Sequence, residues 1–274
     1  MSAAPSPPPA AARADRHDAC TAGIVFAMPV EADAFAARVA ETARFTANGP
    51  TFHEGVVAGR RVAWCVAGAG ADAAARAARL LIDGHRPRRL LSAGFAGGLD
   101  PALGRGTVAC PRRALVRDGG PAIDLVPTGQ GTTGHDVAAI VSVAAVVTTV
   151  AAKRDLAAAT GASLVDMETY AVAAAAAAAG LPCGSIRVIS DDAAHDLPRE
   201  VATLVQPQSG MRRLGAALGA IGRRPRAALD MWQLWEHAVI DGRTLATAIE
   251  RFVDRIHDRP APDERTGGHR TGGR

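Results

Sequence analysis

The sequence predicts an α/β domain around a mostly parallel or mixed sheet, on three observations. Strand-like apolar runs alternate with helix-like segments from Gly23 to about Ser190. Glycines mark most of the joints, as in Gly68-Ala-Gly70 and Gly97-Gly98. The 274 residues are 48% apolar and 21% charged, enough for one large domain or two small ones. That balance excludes a disordered or fibrous chain.

Gly23 to Met28 (GIVFAM) reads as the first strand, and Pro29 suits the first turn of a helix carrying Glu31, Phe35 and Val39. A strand-to-helix corner therefore falls at residues 28–31. The turn signals Asn48-Gly49 and Gly59-Arg60 flank Thr51 to Ala58, and Arg61 to Ala67 follows as a further strand of an antiparallel meander. A helix runs from the Gly68-Ala-Gly70 turn to about Asp83, and Arg89 to Gly94 is a buried strand broken by Gly97-Gly98. Later strands are Ile140 to Val147, Ser163 to Asp166 and Gly184 to Ser190, with an alanine helix over 173–179. After Leu197 three apolar sets at helical spacing predict a helical appendage. They are Met211, Leu214, Leu218, Ile221; Leu229, Trp232, Trp235, Val239; and Leu245, Ile249, Phe252, Ile256.

The domain plan is thus a disordered tail over 1–21, a main domain over 22–200, a helical extension over 201–257 and a second disordered tail over 258–274. The proline-rich start lacks the continuous apolar region of a secretory signal, and no run is long enough to span a bilayer. The net charge of +4 comes almost wholly from arginine, Lys153 being the sole lysine, and aromatics make up only 4%. Stacking platforms for single-stranded nucleic acid are therefore not expected. Cys20, Cys65, Cys110 and Cys183 form no close pair, which predicts buried free thiols in a reducing cytoplasm. Of the eight histidines, His53, His85, His135, His195 and His237 share no metal-ligand spacing, so no metal site is expected.

Two features carry chemistry. Gly68-Ala-Gly70-Ala-Asp-Ala73 fits a dinucleotide fingerprint, but the next strand ends in Gly94-Phe-Ala-Gly-Gly98 without the required acid. A tight turn with close helix packing, or backbone amides lining a sugar or anion site, are the other readings. The second feature is three carboxylates at strand ends: Glu31, Glu168 and Asp191. Ligands of open α/β sheets bind outside the carboxyl ends of strands, so acids at three such ends can converge on one crevice.

The segments GIVFAMPVEADAF, GAGADAAARAARLLIDGHRPRRLLSAGFAGGLDPALGRGTV and LVDMETYAVAAAAAAAGLPCGSIRVISDDA resemble, in order and spacing, the purine nucleoside phosphorylase and methylthioadenosine/S-adenosylhomocysteine nucleosidase superfamily. The resemblance covers about residues 23–195 and is most specific at Ala93–Leu99, Asp166-Met-Glu168 and Ile189-Ser-Asp191. It implies a three-layer nucleoside phosphorylase-like fold with a central mixed sheet, and cleavage of a purine N-glycosidic bond. Asp191 matches the acid that protonates purine N7, and Ser190 would orient it. Met167 and Glu168 match the pair that holds the ribose, and Glu31 the carboxylate that activates water. Asp192 is expected to be structural, and His195 to lie at the surface. Gly94 and Phe95, together with Val146 and Val147 in place of an aromatic-aliphatic pair, would border the base.

Phosphorylases of this kind usually carry an arginine in the strand before the glycine-rich turn, whereas Leu90-Leu-Ser-Ala93 has none. That favours water as nucleophile, with phosphate possible as a co-substrate through Arg112, Arg113 or an arginine from another subunit. The glycine-rich Thr128–Gly134 is read as a mobile lid. The run from Gly94 to Pro101, the Val146-Val147 pair, the short middle and the tail from Leu197 to Pro225 resemble hopanoid-associated phosphorylases. The implied reaction is adenine release from adenosylhopane. A small-pocket methylthioadenosine/S-adenosylhomocysteine nucleosidase, a phosphate-dependent purine nucleoside phosphorylase and a non-catalytic nucleoside-binding protein are the alternatives. No cofactor and no nucleic-acid partner are expected, and the relatives imply a homo-oligomer. Arg212, Arg213, Arg223, Arg224 and Arg226 crowd the stripe from Met211 to Ile221, which suits either a solvated helix face or peripheral contact with an anionic membrane. The expected location is the cytoplasm, with any membrane contact at the inner face.

Overall fold

The first strand, β1 (Ala22–Phe26), is buried along its whole length between two parallel neighbours, β4 (Arg60–Val66) and β5 (Leu90–Gly98). A strand covered on both faces needs no polar alternation, which is why AGIVF is continuously apolar. The computed structural model describes residues 20–46, 49–129, 134–197 and 226–256. The remaining elements are α1 (Pro29–Ala36), β2 (Ala40–Thr46), β3 (Thr51–Val57), α2 (Ala71–His85), β6 (Val108–Pro111), β7 (Arg113–Val116), β8 (Ile123–Asp124), β9 (His135–Val137), β10 (Ile140–Ser142), α3 (Val150–Thr160), β11 (Leu164–Asp166), α4 (Thr169–Ala178), β12 (Cys183–Asp191) and α5 (Arg226–Asp254).

One mixed sheet runs in the order β2-β3-β4-β1-β5-β11-β10-β7-β8, and β12 joins β5 and β6 off this path. Its hub is β5. The first half of β5 pairs with β1 (Gly23–Val25), its far end pairs antiparallel with β11, and β12 runs parallel along nearly all of it. Gly97 is partnered by both Val165 and Asp191, so the ends of β11 and β12 meet there.

Alternate residues of the central strands face opposite helical layers. Ile24, Phe26, Trp64, Leu91, Ile186 and Val188 pack against Phe35 of α1 and Leu245, Ile249 and Phe252 of α5. On the other face Val25, Cys65, Leu90 and Ile189 meet Ala74, Ala77, Ala78 and Leu81 of α2 and Val172, Ala173 and Ala176 of α4. The alanines of α2 and α4 supply small side chains where the two helices share one cluster. A third cluster joins Leu156 of α3 to Val141, Val143, Val165 and Leu99.

The expected three-layer arrangement around a central mixed sheet is the one the chain adopts. The antiparallel meander is present and gains β2 as its outer strand. All four cysteines are free and buried. Four expectations need correction. The strand expected over 140–147 stops at Ser142, where its partners β11 and β7 end at Asp166 and Val116, and Thr149 then caps a new helix, its Oγ1 accepting from the Ala152 amide at 3.2 Å. Gly97-Gly98 does not break β5, since β11 and β12 close against those residues. Thr128, placed in a mobile lid, is buried and donates to the Ser185 carbonyl at 2.7 Å. The disordered tail expected over 1–21 ends earlier, because Cys20 and Thr21 are buried and the Thr21 amide donates to the Arg61 carbonyl at 2.8 Å beside β4. Residues 1–19, 130–133 and 258–274, the stripe from Met211 to Ile221 and its arginines at 212, 213, 223 and 224 lie outside the described residues.

Candidate active site

Glu31 reaches its place through local chain geometry. Pro29 starts α1 directly after β1, and Glu31, two residues on, folds back so that Oε2 accepts from the amides of Ala27 (2.9 Å) and Met28 (2.8 Å). Its Oε1 accepts from the Phe95 amide of β5 at 2.8 Å, which ties the two strand ends together. Burial raises its pKa, against the lowering pull of these amides and of the Arg187 charge.

Glu168 stands at the start of α4. Its Oε1 accepts from the Gly70 amide at 2.7 Å and its Oε2 from the Met167 amide at 3.2 Å. Gly68 and Gly70 have φ of +92° and +101°, a conformation few other residues adopt, so the glycine turn is shaped to present that amide. The geometry is that of a tight turn whose Gly70 amide holds the Glu168 carboxylate. Burial, with the nearby Asp166 charge, pushes the Glu168 carboxyl up to about 7, opposed by the Gly70 amide and Arg187.

Asp191 closes the third side. Its Oδ1 accepts from the Ser190 hydroxyl at 2.8 Å, and its Oδ2 lies 2.6 Å from Nζ of Lys153. A Cβ at Gly97 would stand 3.2 Å from Asp191 Oδ2, so a residue without a side chain opens this corner.

One cavity of about 220 Å³ is bordered by Glu31, Glu168 and Asp191 together. Phe95, Val146, Val147, Met167 and Ser190 also border it, with Leu197 and Ala238 of α5. Gly94 lies beneath: a Cβ there would stand 2.6 Å from Oε1 of Glu31 and 2.6 Å from Nη1 of Arg187. The residues proposed for catalysis and for holding sugar and base therefore border or underlie one cavity, whereas Arg112, offered for phosphate, pairs with Asp136 at 2.7 Å away from it. His195 is exposed and paired with Asp192 at 2.8 Å, a contact that lowers the Asp192 pKa.

Sequence reasoning missed the buried charges beneath the cavity. Arg187, 1% exposed, extends one Nη2 to Ser92 Oγ (2.5 Å), Thr169 Oγ1 (2.6 Å) and Asp166 Oδ2 (2.9 Å). Asp166 in turn accepts from Ser142 Oγ at 2.6 Å and the Thr169 amide at 2.9 Å. A charged residue inside the apolar run GSIRVIS was the available signal for Arg187. Lys153 had the same kind of signal as the sole lysine of the chain. Arg105 was also missed; it donates to the Ser190 carbonyl at 3.0 Å and pairs with Asp241 of α5 at 2.8 Å.

A groove of about 930 Å³ adjoins the cavity, sharing Ala27, Met28 and Ala69 with it. Pro29, Val30, Val66 and Val239 form apolar parts of its wall, and Arg76 and Arg243 stand among them.

A cradle of three carboxylates at the carboxyl ends of a mixed α/β sheet defines a class that comparison with known proteins identifies. The chain belongs to the phosphorylase superfamily, whose model matches residues 21–129 and 127–221. Its fold is similar to S-adenosylhomocysteine nucleosidase from Streptococcus pyogenes, with 19% identity, a TM-score of 0.66, and 86% of this chain and 97% of that one covered. It is equally similar to futalosine hydrolase of Helicobacter pylori, with 18% identity, a TM-score of 0.66 and coverage of 87% and 99%. The 5'-methylthioadenosine/S-adenosylhomocysteine nucleosidase of S. pneumoniae, with a transition-state inhibitor, gives 20%, 0.66, 85% and 98%. No curated protein matches the sequence.

Proposed function

We propose that the protein hydrolyses the N-glycosidic bond of a 5'-modified adenosine and releases adenine, with adenosylhopane as the substrate. The convergence of Glu31, Glu168 and Asp191 on one cavity carries this reading. Bond cleavage leaves a cationic, oxocarbenium-like sugar and a purine that departs more easily when protonated. Carboxylates on the sugar side stabilise that cation. In this reading Asp191, oriented by Ser190, serves N7 of the base, Glu168 and Met167 hold the ribose, and Glu31 takes a proton from the attacking water. Phe95, Val146 and Val147 offer the base an apolar slot.

Electrostatics support water over phosphate. Arg187 is a cation near Ser92, but its Nη2 already serves three acceptors, and the carboxyls of Glu31 and Glu168 stand nearby. A phosphate dianion would have to be desolvated beside these two acidic groups with the cation already engaged, which burial makes costly. The adjoining groove supports a bulky apolar 5' substituent, because it leads away from the cavity along Pro29, Val30, Val66 and Val239. Likeness in fold to methylthioadenosine nucleosidases favours a small 5' group as the second reading.

Adenine release from adenosylhopane and from 5'-methylthioadenosine, each with and without phosphate, tests all of this. Release from adenosylhopane without phosphate is expected. Strict phosphate dependence with a pentose phosphate product would overturn the choice of water, and preference for methylthioadenosine would overturn the 5' group. Glu31→Gln should lower the phosphate-independent rate by about two orders of magnitude or more, since it removes the base that activates water.

A further inference from the structure

The fully buried lysine of α3 has no part in the chemistry above, yet it touches the group that must supply the proton. Lys153 is 0% exposed, and its Nζ lies 2.6 Å from Asp191 Oδ2 and donates also to the Asp192 carbonyl. It is held there by clamps at the head of α3. The Val150 amide donates to Asp196 Oδ1 at 2.6 Å, and the Leu197 amide donates to the Thr148 carbonyl at 2.8 Å. Both oxygens of Asp191 thus accept, one from Ser190 and one from Lys153. With both oxygens engaged as acceptors, the charged donor in direct contact with Asp191 is Nζ of Lys153.

We propose that Lys153 is a positioning residue that supplies, through Asp191, the proton taken up by the departing purine. This rests on the nucleosidase reading. As the C1'–N9 bond breaks, its electron pair leaves with the purine. Asp191 takes a proton at Oδ2 from Nζ, leaving Lys153 a neutral amine, and passes that proton to N7. The oxygen of water bonds to C1', its proton passes to Glu31 and then to solvent, and Lys153 regains a proton from solvent. The sum is water plus nucleoside giving adenine plus free sugar. Burial makes the direct transfer reasonable, because no water need lie between Nζ and the carboxylate.

The test compares wild type, Lys153→Met, Lys153→Arg and Asp191→Asn on an adenine nucleoside and on 4-nitrophenyl riboside, whose phenolate departs without a proton. Both lysine variants should lose about a hundredfold or more in kcat on the nucleoside with little change in KM, while keeping most of their rate on the nitrophenyl riboside. Arginine keeps the charge but does not give up its proton, so it should not rescue. Rescue by Lys153→Arg, or equal loss on both substrates, would overturn the proposal. Because Lys153 is the only lysine, ¹⁵N-lysine labelling yields one side-chain signal. It should be an ammonium that moves in Asp191→Asn, and an unmoved signal overturns the proposal even if a variant fails to fold. A wild type that releases no adenine overturns the function instead, which separates the two failures.

Discussion

Gly94 is the residue on which two buried charges turn. A methyl group there would stand 2.6 Å from both Glu31 Oε1 and Arg187 Nη1, and neither can retreat freely. Glu31 is tied by three amides and Arg187 by three acceptors. Gly94→Ala should therefore cost about 1–3 kcal/mol of stability, as overpacking does, and most of the adenine-releasing activity. Thermal unfolding and initial rates check this, and wild-type behaviour in both would show that the two charges are less constrained than their contacts imply. Glu168 makes a second prediction. Its carboxyl is raised from an ordinary 4.5 to about 7, so the folded chain holds a proton there that the unfolded chain releases. This contribution is fully present below 4.5 and is lost as pH rises through 7. It amounts to at most about 3 kcal/mol. Denaturant unfolding between pH 5 and pH 8 should show wild-type stability falling with pH, and Glu168→Gln should flatten the slope. Some slope should remain, because burial raises Glu31 in the same direction.

At the scale of elements, the site depends on how closely α1 and α5 approach. A Cβ at Gly242 would stand 2.8 Å from the Val30 carbonyl, so a bare glycine lets the helices touch. Arg38 of the α1 end pairs with Glu250 of α5 at 3.0 Å, but both are partly exposed and the pair adds little. The contact matters because α1 carries Glu31, while α5 contributes Ala238 to the cavity and Asp241 to the brace on Arg105. Gly242→Val should push the helices apart, lower stability by about 1–3 kcal/mol and weaken substrate binding. Unchanged thermal unfolding and KM would mean that the approach is not limiting. The same scale explains the missed helix α3. Its sequence continues an alanine- and valine-rich run that reads as strand, and Thr149, the residue that caps it, is not distinctive until the backbone turn is seen.

For the whole molecule, the substrate sets the last prediction. Among the described residues no helix is long and apolar enough to cross a membrane. A bilayer-resident hopanoid would have to be met at the surface, since exposing its hydrocarbon costs about 0.8 kcal/mol per methylene. Arg212, Arg213, Arg223 and Arg224 would then each add roughly 1 kcal/mol of attraction to anionic lipid, weakened by salt. The protein is expected to co-sediment with anionic vesicles at low salt. Replacing the four arginines with glutamine should reduce this and leave hydrolysis of a soluble adenosine analogue intact, whereas equal sedimentation of both proteins would refute a surface role.

Much of this molecule could be read in one dimension. Apolar runs marked the central strands, glycines marked the corners, and acids at three strand ends marked the site, because each depends on a residue and its near neighbours. The meeting of those acids did not follow from spacing. Gly97 is paired with both Val165 and Asp191, which brings strands about seventy residues and more away onto the end of β5. Only that pairing decides that Lys153 faces Asp191, that Arg187 serves Asp166, Ser92 and Thr169, and that Asp241 reaches Arg105. A buried charge announces itself in sequence as an exception to its run, but its partner is chosen by long-range packing. Neither the pairing nor the resulting raised pKa values of Glu31 and Glu168 exist until desolvation and neighbouring charges are assembled in three dimensions.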